Sequence, residues 1–169
     1  MAGLVSDLES NAAGETELQA FEGRQTLRLF HLGDERFALF AGEVDGVVRW
    51  QRPTPLPGAP QPVLGVVSAH ARMVTVLNTA RLLAMPLLDN SAAPGCIIVL
   101  RGPAQLGLTA TAEGGTSEIS ASDLETVPES DARPLLGFVD HGNEKILVLD
   151  PQRLFSAAMR GRQRRRRQL

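Results

Sequence analysis

Short apolar runs separated by turn residues dominate the chain from Thr26 onward, and their two-residue alternation predicts strands. Residues 26–32 and 36–40 flank Gly33-Asp34-Glu35, the pattern of a β-hairpin with a short glycine-containing loop. A second pair, 96–100 and 106–112, surrounds Arg101-Gly102-Pro103-Ala104, and its second member alternates strictly from Leu106 to Ala112. A third pair, 136–139 and 146–149, encloses His141-Gly142-Asn143-Glu144. Further strand-like runs fall at 43–50, 63–67 and 73–77. Three hairpins with little helical periodicity between them predict a mostly β fold of small barrels rather than an α/β sheet.

The breakers fall between these runs. Pro53, Pro55, Pro57, Pro60 and Pro62 each fix φ and remove a ladder donor, so this stretch reads as an irregular crossover, in preference to an SH3-type ligand. A short helix is expected over 78–85, stopped by Pro86. Asp150 as N-cap and Pro151 as first helical residue predict a closing helix over about 151–160, with Leu154, Phe155, Ala158 and Met159 on one face. Residues 1–25 are acidic, with apolar positions too sparse for a core-facing stripe. They are expected to form a flexible tail, with a capping-box spacing at Ser6 and Glu9.

Charge divides the chain further. The formal balance is 17 basic against 19 acidic residues in 169, a net −2, yet every basic residue except Lys145 is arginine. Arg160, Arg162, Arg164, Arg165, Arg166 and Arg167 lie within the last ten residues, which hold no acid. The body without them carries a net charge near −8. The domain reading is therefore an acidic tail over 1–25, a β domain over 26–159 and an Arg-rich tail over 160–169. A dense guanidinium run suits an anionic partner, DNA or an acidic protein; a merely solvated end is the competing reading. The single cysteine, Cys96, cannot close an intrachain disulfide. The five-residue apolar run at 96–100 is far short of the roughly 20 residues that span a bilayer. The acids of the first 25 residues argue against a signal peptide. A cytoplasmic protein without membrane insertion is expected.

Catalytic patterns are missing from the sequence. His31, His70 and His141 are scattered, without the spacing that places two imidazoles on one metal from a single element. No nucleophile elbow, Walker loop or dinucleotide fingerprint occurs. Cys96 opens a strand expected to be buried, where a thiol acts as a small hydrophobe. The reading is a non-enzyme without cofactor or metal.

The order of features resembles the CheW family of bacterial chemotaxis adaptors from about Thr26 to Phe155. Leu29 to Leu39 is similar to the family's first hairpin, and Glu43 to Arg49 to its next strand. Leu56-Pro57 with Pro62 to Val67 resembles the crossover into the central strand. Leu136-Gly137-Phe138 through Asp150 to Leu154-Phe155 resembles the last hairpin and its helix. The resemblance implies two small five-stranded SH3-like β-barrel lobes with short helices and a C-terminal helix. It also implies a non-enzymatic adaptor that binds the cytoplasmic tip of chemoreceptors in receptor clusters, through a groove between the lobes, and a CheA-like histidine kinase.

Departures from the pattern shape the expectation. Ser68-Ala69-His70-Ala71 stands where the family reads Asn-Leu-Arg-Gly, and His70 cannot offer a bidentate fork. Thr75 and Asn78 replace a proline and an aspartate. Small residues from Leu108 to Ala112 predict a looser lobe, with kinase docking weakened or lost. The expected receptor surface is centred on Val44, Val47, Leu64, Val66 and His70, with plain core packing the competing role for the aliphatic ones. The contrasting function is an anionic-surface or nucleic-acid binder acting through the arginines; a small-molecule-binding barrel has no positive signal.

Overall fold

Alternation and turn chemistry are realised, among the described residues, as eleven strands in two sheets. A computed structural model describes residues 23–85, 93–128 and 131–167, from 160 on as backbone only. The strands are β1 (Gln25–Leu32), β2 (Glu35–Phe40), β3 (Val44–Arg49), β4 (Val63–Ala69), β5 (Arg72–Leu77), β6 (Cys96–Leu100), β7 (Leu106–Ala110), β8 (Ala112–Ile119), β9 (Leu124–Thr126), β10 (Leu135–His141) and β11 (Glu144–Leu149). Helix α1 (Thr79–Leu82) follows β5, and α2 (Pro151–Arg167) closes the chain. The expected flexible tail falls almost wholly outside the described residues. So do Pro86 and the arginine side chains at the C-terminus.

The mostly β, two-lobed architecture is as expected, with one lobe larger than five strands. The first sheet runs β8-β1-β2-β11-β10-β9 and the second β3-β6-β7-β5-β4. The chain starts in the first lobe, builds the whole second lobe, and returns. In each sheet one hairpin lies parallel to another, β11 on β2 and β5 on β7.

Apolar alternation explains how the lobes join. In β6, Ile97 and Val99 face the second lobe's own interior with Val67, Val74 and Val76. Cys96, Ile98 and Leu100 face the opposite way, into a cluster with Phe30, Phe37 and Leu39 of the first lobe and Leu154 of α2. A strand buried on both faces reads as a continuous apolar run, and β6 is buried at all five positions. Complete burial of one Leu or Ile side chain is worth roughly 1.5–3 kcal/mol, so this interlobe cluster is the main cohesive element.

Strand β7 corrects the expectation of a loose lobe. It is a central strand buried at every position, and its small residues are packed against neighbours. A Cβ on Gly107 would stand 2.8 Å from Ile97 Cγ2 and 2.9 Å from Val74 Cγ1, closer than real contacts allow. Buried Thr109 is satisfied: its carbonyl accepts from Thr79 Oγ1 at 2.6 Å and its hydroxyl accepts from Thr79 N at 3.2 Å, tying α1 to the sheet.

The run read as one strand to Ala112 breaks at Thr111. There the backbone N–H donates to His31 O, and the hydroxyl accepts from Gly33 N, both at 2.8 Å. These bonds hand the chain to the first lobe, where β8 pairs with β1. Being an edge strand, β8 needs little apolar sequence, and Ile119 is its one buried residue.

At the C-terminus, Asp150 caps α2 by accepting from Gln152 N at 3.0 Å. Only half of the expected apolar face is inward: Leu154 and Ala158 are buried, whereas Phe155 is 51% and Met159 38% exposed. The helix also runs seven residues beyond its expected end near Arg160, through Arg167.

Because the interlobe cluster belongs to both sheets, Ile98→Ala should lower stability by about 2–5 kcal/mol. Fluorescence of Trp50, in the second lobe, and far-UV circular dichroism should shift to the same new urea midpoint. Separate midpoints would mean that the lobes unfold independently.

Candidate functional site

Nothing among the described residues gathers three metal-ligating side chains. The Cys96 thiol is pushed up by burial and then by the nearby Glu113 carboxylate, which keeps it protonated in the core. The chemistry on offer is that of contact surfaces.

The five expected receptor-facing residues are distributed over three places. Val44 is 4% exposed and belongs to the interlobe cluster, so it is a core residue. Val47 is half-buried against the same cluster and lines a cleft of ≈ 350 Å³ between the lobes, with Arg49 and Cys96 on one side and Thr111 and Glu113 on the other. Leu64 packs, partly buried, on the second lobe's interior. Val66 and His70 belong to the β4–β5 hairpin.

That hairpin presents a mixed face of apolar and hydroxyl side chains. Thr75 is opposite Val66 and Met73 opposite Ser68, so these side chains share one face. It is also the face of Leu77, two residues along β5, which lies in the interlobe cluster. Covered at Leu77 by the first lobe, the face emerges at Val66, Thr75 and Met73, where Met73 is 58% exposed. Thr54 of the proline crossover brackets Val66 with two backbone bonds of 2.9 Å, and the same crossover carries Leu56, 43% exposed. Met73 and Leu56 escaped the sequence reading, because alternation alone does not say where the first lobe's cover ends.

His70 closes the second lobe. β3 and β4 are opposite ends of the ladder, yet the sheet curls until the hairpin turn meets β3. His70 Nδ1 lies 3.7 Å from Asp45 Oδ2, and a Cβ on Gly46 would sit 2.6 Å from His70 Cε1. Gly46 thus leaves the room in which the imidazole rests on β3. Gln51 Nε2 adds a 3.2 Å bond to Ser68 O across the same seam. The turn residues His70 and Ala71 both have positive φ, 50° and 59°, the two-residue hairpin geometry that normally selects Asn-Gly. Left-handed backbone costs a non-glycine residue roughly 1–2 kcal/mol, and such strain concentrates at contact sites.

A second electrostatic feature sits where the chain crosses between lobes. Glu43 ends the 3-10 turn (Ala41–Glu43) linking β2 to β3, and its Oε2 is buried without a hydrogen-bond partner among the described residues. Burial, and secondarily the Asp150 carboxylate, push its carboxyl up to about 7; a bond from Phe40's backbone opposes the rise.

Two measurements follow from this geometry. Ala71→Gly should raise the urea midpoint by the equivalent of about 0.5–1 kcal/mol, since relief of positive-φ strain outweighs the added freedom of the unfolded chain. For Glu43, a raised folded value means that its stabilising contribution is complete below the ordinary carboxylate range and disappears as pH rises through about 7. The urea midpoint should therefore fall from about pH 5 to about pH 8 more in the native protein than in Glu43→Gln. Parallel profiles would show that this carboxyl ionises freely.

Comparisons with known proteins agree with this architecture. A family model described as the CheW-like domain matches residues 26–159. The solved structure of the scaffolding protein TtCheW from Thermoanaerobacter tengcongensis superposes with a TM-score of 0.66 at 19% identity, covering 76% of this chain and 90% of that one. At that identity the likeness is one of fold. Among curated proteins, none matches the sequence. With four fifths of its length under the family model and the two-sheet fold in common, the chain belongs to the CheW-like domain family, a family of non-enzymatic scaffold adaptors.

Proposed function

We propose that this protein is a chemosensory adaptor of the cytoplasm that binds the cytoplasmic tip of a chemoreceptor and shapes receptor clusters. Its contact face is the β4–β5 hairpin, with Val66 and Met73 as apolar anchors, His70 at the rim and Leu56 flanking. The observation that carries this reading is exposed Met73 with half-buried Val66 on the face that continues the interlobe core into solvent, beside a strained turn and exposed Leu56. Exposed contiguous apolar surface of this kind marks interaction sites, and an amphipathic receptor helix supplies the complementary stripe. Val47 and the interlobe cleft offer the neighbouring groove. No helix among the described residues is long and apolar enough to cross a membrane.

Family membership also supports a CheA-like kinase as second partner. Of the small residues behind the expectation of weakened kinase docking, Thr109 and Ala110 are packed inside β7, whereas Ala112 is exposed at the start of β8, so that expectation rests on the β8 end alone. The adaptor reading assigns no role to the terminal arginines.

Titration calorimetry against a receptor cytoplasmic fragment tests the assignment. Met73→Glu, at an exposed position, should weaken binding at least about tenfold, equivalent to about 1.4 kcal/mol, without changing the urea midpoint. His70→Ala should weaken it less. Undiminished affinity in both variants, or loss only with Val47→Glu, would remove the hairpin assignment. Tight binding of the kinase regulatory domain with none of the receptor would remove the proposed function.

A further inference from the structure

Two strongly charged segments flank the β domain in sequence. Residues 1–22 contain five acids, Asp7, Glu9, Glu15, Glu17 and Glu22, and neither Lys nor Arg. Residues 160–169 contain six arginines and no acid. Each is a solubility element by itself; together they are complementary in sign and nearly equal in number.

The sheet register brings their attachment points together. β1 pairs antiparallel with β2, with Leu27 opposite Phe40. β11 runs parallel to β2, with Val148 beside Ala38. The start of β1 and the end of β11 therefore lie at the same end of the first sheet, two strand spacings apart, about 10 Å. The acidic segment joins the fold at that end, and α2 departs from it. An extended stretch of 22 residues reaches roughly 70 Å. The 17 residues of α2 span only about 25 Å. Both ends of the helix are within reach.

The outer face of α2 offers a matching surface. Phe155 and Met159 are exposed one helical turn apart. Helical periodicity places positions 162 and 166, both arginine in the sequence, in register with positions 155 and 159 along one continuous helix. Phe155 also walls a cleft of ≈ 230 Å³ with Leu100, Pro103, Leu106 and Pro151, open to an apolar side chain. The acidic segment carries apolar residues among its carboxylates, including Leu8, Leu18 and Phe21.

We infer that residues 1–22 are a tethered ligand of α2, docking on the face of Phe155 and Met159 and on the arginine stretch beyond it. The tether gives the segment an effective concentration in the millimolar range, so charge pairing too weak to hold separate molecules suffices here. In the docked form the segment occupies the helix that any external polyanion would need. This inference stands apart from the receptor-binding reading, since it uses a different face.

The test uses the full chain, isotope-labelled, with a nitroxide attached at Asn11→Cys under native conditions, in which Cys96 is buried. Amide signals from 155–167 should broaden at low salt, independently of protein concentration. They should recover at about 1 M salt, where the Debye length is about 3 Å. They should also recover when all five acids are replaced by their amides. That full-length amide variant should bind heparin, used as a probe polyanion, at least about tenfold more tightly than the native chain, because the tethered competitor has been removed. Absence of broadening overturns the inference, as does broadening that survives neutralisation of the acids. Broadening that grows with concentration and appears between separately labelled chains also overturns it, in favour of a second copy as the occupant. Equal heparin affinity of native and amide chains would show that the segment does not cover the arginines.

Discussion

The apolar cluster between the lobes fixes most of what the molecule can present to a partner. Ile98, Leu100 and Leu108 of the second sheet meet Phe30, Phe37 and Leu39 of the first, and α2 inserts Leu154 and Ala158 beside them. This shared interior makes two sheets into one body. It also divides each strand's outward positions into those the other lobe covers and those it leaves in water. Along β5 the same face holds Leu77 in the cluster and Met73 in solvent. The candidate docking stripe is the uncovered remainder of a core-forming surface.

A second constraint acts at the seam of the smaller lobe. The strand ladder stops at β3 on one side and β4 on the other; the Thr54–Val66 backbone bridge and side chains complete the closure. Gly46 supplies the space, His70 fills it, and Asp45 faces the imidazole. The hairpin carrying His70 is held in a left-handed turn that neither His nor Ala favours, so its position is set by the seam and the pairing around it. The proposed docking hairpin and the lobe closure thus share the same few residues.

Charge is organised on a coarser scale. Glu43 lies at the crossing between lobes, where burial and then the Asp150 carboxylate disfavour its ionised form. The far larger charges belong to the two chain ends in sequence, five acids before residue 23 and six arginines from residue 160. Their attachment at the same end of the first sheet follows from strand register, which no count of acids and arginines contains.

Much of this was legible in the chain. Alternation and turn residues located both long hairpins of the first lobe and the β4–β5 and β6–β7 pairs, because local pattern decides where strands begin and end. The proline crossover and the cap of α2 were also readable, since proline and aspartate act on their own backbone. β8 was not, because an edge strand paired on one side needs few apolar residues. The break at Thr111 was not, because it is made by bonds to His31 and Gly33, about 80 residues earlier in the chain. Val44, Val47, Leu64 and Val66 look alike as aliphatic positions, yet the fold makes one a core residue, sets one on the interlobe cleft, packs one against the second lobe and leaves one in the hairpin stripe. The sequence by itself determined the class of fold, the family and the residues able to be apolar contacts. Tertiary structure alone decided which of them stay accessible, because burial depends on what the other lobe covers, and that cover is formed by residues distant along the chain.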